Sequence, residues 1–157
     1  MRLLSRELPV AGLRVTVGQV KLTVKCDYAA RAVLGLAQHH AEGKAIRVET
    51  LAKEQSIPQN YLVQILIELK RAGLVRSQRG KEGGYLLARE PGEVSLGDVL
   101  QSIHGEVFEP PQGDSPCPEA LRKQWLAIQS AVDEVAQSIT FQQIVESSKP
   151  DQEMYYI

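Results

Sequence analysis

The run Gln59-Asn60-Tyr61-Leu62-Val63-Gln64-Ile65-Leu66-Ile67-Glu68-Leu69-Lys70-Arg71-Ala72-Gly73, continued by Leu74-Val75-Arg76-Ser77-Gln78-Arg79-Gly80-Lys81-Glu82-Gly83-Gly84-Tyr85-Leu86-Leu87-Ala88, changes its period part-way along. In the first part Leu62, Ile65, Leu66 and Leu69 recur at i, i+3, i+4 and i+7, which aims one face of a helix at a core. Gln59, Asn60, Tyr61 and Gln64 crowd the N-terminal end of the same helix on its other faces. Ala72-Gly73 stops it, and Leu74–Gln78 and Tyr85–Ala88 then read as two short strands. The joint between them, Arg79-Gly80-Lys81-Glu82-Gly83-Gly84, is a glycine-rich hairpin tip that carries cations.

Upstream, Thr23 is an N-cap for a helix to about Ala41, with Ala29, Val33, Leu36 and Ala37 as its apolar stripe and Gly43 as its stop. After the short extended piece Ala45–Arg47, a second helix over Val48–Gln55 places Val48, Leu51 and Ala52 on one face, without a good N-cap. Gln55-Ser56-Ile57 makes the turn into the third helix, where Pro58 takes the first helical position. Helix, helix-turn-helix and two-stranded wing, in that order, predict a mainly α protein with a small β-hairpin, a winged helix-turn-helix domain over residues 20–105.

Downstream of Pro91-Gly92, Ser95 and Asp98 form a capping box for a short helix to about His104. Gly105–Pro118 contains Pro110, Pro111, Gly113, Pro116 and Pro118 and reads as a loop. Beyond it Leu121, Trp125, Ile128, Val132, Val135 and Ile139 recur at spacings of 4, 3, 4, 3 and 4, a heptad seam on a long helix over residues 119–139. A domain this small offers such a seam little to pack against, so a second copy of the chain is the expected partner. Thr140 with Gln143 opens a last short helix before the tail Met154-Tyr155-Tyr156-Ile157.

At 157 residues, 43% hydrophobic and 24% charged, the chain is one ordinary globular domain in size and composition. Cys26 and Cys117 are too few for a disulfide framework or a four-thiolate zinc site, and a reducing cytoplasm fits them. No uncharged apolar run reaches the roughly 20 residues of a membrane helix, and Met1–Val20 reads as neither signal nor anchor. A net charge of −1 hides two opposed halves: residues 1–90 hold 15 Lys and Arg against 8 Asp and Glu, while residues 91–157 hold 3 against 11. That asymmetry points the first half at a polyanion and keeps the second away from it.

Double-stranded DNA attracts Lys and Arg through phosphate and is read by side chains that reach base edges. Asn and Gln pair twice with adenine, which makes Gln59, Asn60 and Gln64 the expected readers, with Tyr61 on a phosphate. Arg79 and Lys81 at the hairpin tip are placed for a minor groove or for phosphate, and Lys25, Lys70, Arg71, Arg76 and Arg89 widen the basic face. Gly80-Lys81 is no nucleotide loop, because Val75 and Glu82 stand where that motif needs a glycine and a hydroxyl residue. His39, His40 and His104 have no paired-ligand spacing and no GxSxG motif occurs, so an enzyme reading has no residues. Cys26, near a helix start where a thiol pKa falls, and Cys117, in the loop before the seam, are candidate sensor thiols; the plain alternative for Cys26 is a small core residue.

Several stretches resemble the Rrf2 family of bacterial winged-helix transcriptional regulators, the type of IscR, NsrR and CymR. They are Lys21-Leu22-Thr23 with Asp27-Tyr28-Ala29-Ala30-Arg31-Ala32, Tyr61-Leu62 with Gln64, Ala72-Gly73-Leu74-Val75, Arg79-Gly80 with Gly83-Gly84-Tyr85-Leu86-Leu87-Ala88-Arg89, and Ser95-Leu96-Gly97-Asp98-Val99. The resemblance covers about Val20–Val145. It implies a homodimeric, operator-binding transcription factor, usually a repressor, whose affinity for DNA is set by a signal. Family members begin Met-Lys/Arg-Leu where this chain has Val20-Lys21-Leu22, so residues 1–19 read as an upstream-start extension. Many members hold an iron–sulfur cluster through three cysteines before the dimerisation helix. Here only Cys117 matches, Ala120 stands where some members add a histidine, and Asp27 occupies the position of a carboxylate ligand given by the other subunit. Such a cluster would draw on Cys117, Asp27 and Cys26, which is an unlike set. Val63 replaces the glutamate with which some members discriminate bases, so operator preference does not carry over.

The expectation is therefore a dimer joined by exchanged seam helices, each third helix in a major groove of an inverted-repeat operator. A winged-helix protein-interaction adaptor, with the same fold and no need of wing cations, is the alternative. For control, a small-molecule or protein effector ranks before thiol oxidation, and oxidation before a cluster.

Overall fold

The computed structural model describes residues 22–104 and 115–149. The extension, most of the Pro-rich loop and the C-terminal tail lie outside them. The chain runs through α1 (Val24–Gln38), α2 (Val48–Gln55), α3 (Gln59–Arg71), β1 (Val75–Gln78), β2 (Gly84–Leu87), α4 (Leu96–His104), α5 (Glu119–Ser138) and α6 (Phe141–Ser147), with short 3-10 turns at His40–Glu42 and Pro91–Glu93.

Local signals account for most boundaries. The Thr23 hydroxyl accepts from the Cys26 amide at 3.3 Å and caps α1. The helix ends at Gln38, earlier than expected: the chain tightens into the turn at His40–Glu42, and Gly43, at φ 65°, reverses it. Ser56 takes the left-handed conformation (φ 53°) between α2 and α3. Pro58 sits at the N-cap of α3 with extended backbone (ψ 127°) and not, as expected, at the first helical position. Extension is what the helix entry needs there, and the ring still fixes φ near −60°. Both capping boxes form. The Ser95 amide donates to Asp98 Oδ2 and the Asp98 amide to Ser95 Oγ, each at 3.0 Å, and Thr140 and Gln143 are reciprocally bonded at the start of α6.

The apolar stripes of the first three helices meet in one core. Ala29, Val33, Leu36 and Ala37 of α1 face Leu51 and Ala52 of α2 and Leu62, Ile65, Leu66 and Leu69 of α3, all buried. Val75 and Leu87 bring the hairpin onto it, Val94 and Val99 close one side, and Phe141 of α6 is sunk into it at 1% exposure. The C-terminal helix thus folds back under the N-terminal half of the chain, with Phe141 N–H bonded to Val94 C=O at 2.9 Å and Leu96 N–H to Ile139 C=O at 2.8 Å. That return strips Ile139, the last expected seam position, out of the helix: its backbone is extended (φ −94°, ψ 108°).

β1 and β2 pair antiparallel, Val75 with Leu87 through Gln78 with Gly84. A feature without a sequence signal joins them: Ile46 pairs with Tyr85, N–H to O at 2.9 Å and O from N–H at 2.8 Å, so the piece before α2 forms a third edge of the wing. Gly84, at φ 152°, makes this possible, because a Cβ there would run into the Ile46 carbonyl.

α5 is anchored near its C-terminal end and keeps several large apolar side chains exposed. Near its C-terminus Ala136 packs with Leu100 and Cys26, Ser95 Oγ donates to Gln137 Oε1 at 2.8 Å, and Gly97 leaves room for the Gln137 side chain. Further back Leu121, Leu126, Ile128 and Val135 are exposed by 45%, 48%, 46% and 60%. Ile128, Ala131, Val132, Val135 and Ile139 line an apolar hollow of about 470 Å³ with Leu96 of α4.

Candidate nucleic-acid interface

Four polar residues expected to read or grip DNA stand at one end of α3. Burial of Leu62, Ile65, Leu66 and Leu69 rotates Gln59, Asn60, Tyr61 and Gln64 to the solvent side, and all four are exposed. Tyr61, 57% exposed, is held edge-on against Tyr28 with ring centroids 6.3 Å apart. The Arg31 guanidinium lies 4.8 Å over the Tyr28 ring, donates to the Gln55 carbonyl at 2.8 Å and pairs with Asp27 at 2.7 Å. One arginine of α1 thereby ties the α2–α3 turn to the aromatic support of Tyr61.

The wing tip is a tight cationic turn. Gly80 has φ 108°, the Gly83 amide closes on the Gly80 carbonyl at 3.0 Å, and Arg79 and Lys81 are both exposed. Lys70 reaches from the end of α3 to Ser77 Oγ of β1 at 2.6 Å, bracing helix against wing. Arg71, Arg76 and Arg89 are exposed. Lys25, expected to widen the basic face, is paired with Glu68 Oε1 of α3 at 2.8 Å. An acceptor on a neighbouring helix gives no signal in the sequence around Lys25.

The two cysteines part company. Cys26 is 3% exposed and packs with Leu100 and Ala136, so it is the small core residue of its two readings. Cys117 is half-buried immediately before α5, its thiol directed at the Pro118 carbonyl at 3.7 Å.

Residues 22–147 match the family described as Rrf2, iron-dependent transcriptional regulator. The chain belongs to the Rrf2 family. Among known members it is similar to the HTH-type transcriptional regulator CymR of Bacillus subtilis, 32% identical over 138 residues that take in 87% of this chain and 97% of CymR. It is 39% identical over 88 residues to the HTH-type transcriptional regulator IscR of Aliivibrio salmonicida, covering 56% of this chain and 52% of IscR. The fold agrees: the structure of CymR, the global cysteine regulator of B. subtilis, superposes with a TM-score of 0.72 at 30% identity over 83% of this chain and 100% of CymR. IscR of T. potens superposes with 0.71 at 30% identity, over 87% of this chain and 97% of IscR. This Rrf2 protein is a winged-helix, DNA-binding transcriptional regulator, in a family of regulators and not of enzymes.

The described residues of this Rrf2 protein do not fit the iron its family description implies. Iron–sulfur clusters are held chiefly by thiolates. Of the chain's two cysteines one is inside the core, Asp27 is engaged by Arg31, and no three His, Cys, Asp or Glu among the described residues come together to hold a metal ion.

Proposed function

We propose that this chain is a homodimeric, sequence-specific repressor of the cytoplasm that binds an inverted-repeat operator. Two copies join along α5, each α3 enters a major groove, and each wing tip reaches the flanking backbone or minor groove. Gln59, Asn60 and Gln64 read base edges, Tyr61 grips phosphate, and Arg79 and Lys81 supply the cations of the wing. Lys25 adds its charge only where it leaves Glu68. The observation that carries this reading is the solvent-facing polar end of α3 together with an exposed cationic glycine turn on the same basic half of the chain. The dimer is supported by the bare apolar face of α5, which a symmetric copy would cover.

Control falls to an effector, with oxidation of Cys117 as the second route: Cys117 is the more accessible thiol and sits where the loop enters the joining helix. Mobility shift with duplexes selected from a randomised pool, over a range of salt, tests the main claim. Binding that weakens as salt rises and prefers a two-fold symmetric sequence is the expected result. Absence of duplex binding, or binding indifferent to salt, refutes it and favours a protein-interaction adaptor.

A further inference from the structure

Resting on the reading that α3 and the wing engage one duplex, we infer that Arg47 is a positioning residue that holds the wing tip at a set distance from the helix-turn-helix. Nothing in its neighbourhood in the chain announces this. Arg47 occupies the N-cap of α2 with extended backbone (φ −69°, ψ 147°), yet its side chain makes no capping bond. It is spent elsewhere: Nη2 donates to the Lys81 carbonyl at 2.8 Å, across 34 residues of chain.

Two attachments of different kinds hold the wing. At its base the main chain of Ile46 pairs with Tyr85, and Gly84 lets that backbone approach closely. This fixes where the hairpin starts. The tip lies several residues further out, where the backbone bond from Gly83 to Gly80 is internal to the turn. Among the described residues, Arg47 makes the only hydrogen bond from residues 79–83 to the helix-turn-helix. A glycine turn with φ at 108° has wide conformational freedom, and an untethered tip would spread Arg79 and Lys81 over many positions. A planar guanidinium held at its root by the strand contact of Ile46 restricts that spread. The ordering is then in place before DNA arrives. Because the bond uses a carbonyl of the tip, it leaves the Arg79 and Lys81 side chains free for the ligand.

The experiment uses the full chain and a duplex selected with it from a randomised pool. Arg47→Ala weakens binding about fivefold, the worth of one ordinary hydrogen bond, while the melting temperature stays within a degree or two. Arg47→Lys, which keeps a donor on a long stem, recovers most of the loss. On an Arg79→Ala/Lys81→Ala background Arg47→Ala has no further effect, because there is no cation left to place. Amide hydrogen exchange across residues 79–83 is faster in Arg47→Ala than in the wild-type chain, a measurement that needs no DNA. Two results overturn the inference. One is a loss that persists on the wing-neutral background with the salt slope shallower by about 0.9, which makes Arg47 a direct phosphate contact. The other is unchanged exchange at the tip, which makes the bond inert. A wild-type chain that selects no duplex overturns the functional reading beneath it and the inference together, whereas a binding chain with either of the two results above overturns the inference alone.

Discussion

Ile128 is the point at which the proposed dimer is most open to attack. It lies mid-way along the bare face of α5, 46% exposed in the single chain, in a wall of Ala131, Val132 and Val135. Full burial of an isoleucine side chain stabilises by about 1.5–3 kcal/mol, so covering the half still in contact with water is worth roughly 1 kcal/mol. A two-fold interface uses the residue twice, and Ile128→Ala therefore weakens dimerisation by about 2 kcal/mol, roughly 30-fold in Kd. Ile128→Asp goes further, since each carboxylate must be stripped of water against an apolar wall, and leaves the chain monomeric at micromolar concentration. Sedimentation equilibrium measures both variants. Circular dichroism checks that helix content is unchanged, as expected for a side chain outside the core. With the copies separated, binding to a symmetric duplex falls to that of a lone half-site. If Ile128→Asp associates with the wild-type constant, α5 is not the joining surface; if the wild-type chain is itself a monomer, the proposed two-fold operator loses its basis.

Other consequences are equally direct. Gln64→Ala relaxes preference at one base pair of each half-site by about 1–3 kcal/mol, while Arg79→Ala weakens all sequences alike, as competition with variant duplexes would display; the reverse pattern exchanges reader and anchor. Gly84→Ala places a Cβ against the Ile46 carbonyl at φ 152° and destabilises by about 2 kcal/mol or more, lowering the melting temperature by roughly 4–8 °C. His39 bonds Glu54 at 2.9 Å and Glu42 at 3.0 Å, and these carboxylates, Glu54 first, hold its pKa above the ordinary 6.5 against the lowering effect of burial. Since the folded value is the higher one, the stabilisation is complete below pH 6.5 and is lost as pH rises through the folded pKa. Chemical denaturation at a series of pH values shows this slope in the wild-type chain and its disappearance in His39→Gln.

How much of this was legible in the chain follows from the range of the interactions involved. Periodicity and caps act over three or four residues, and they sufficed for the helix-turn-helix, the buried face of α3, the hairpin, both capping boxes and the polar cluster of Gln59, Asn60, Tyr61 and Gln64. Burying one face of an amphipathic helix leaves no choice about the other, which is why the solvent-facing side chains of α3 are legible in the sequence. What had to wait for the fold involves partners far apart in sequence. Glu68 takes up Lys25, Arg31 reaches Gln55, Ile46 bridges to Tyr85 of β2, and Arg47 bonds Lys81. The burial of Cys26 beneath Leu100 and Ala136, and the extended backbone with which Ile139 leaves the helix to bond Leu96, have the same origin. Each depends on which surfaces close on one another, and local pattern does not encode that closure, because a side chain's neighbours along the chain are the same whether it ends in water, in a core or against a carbonyl from another element.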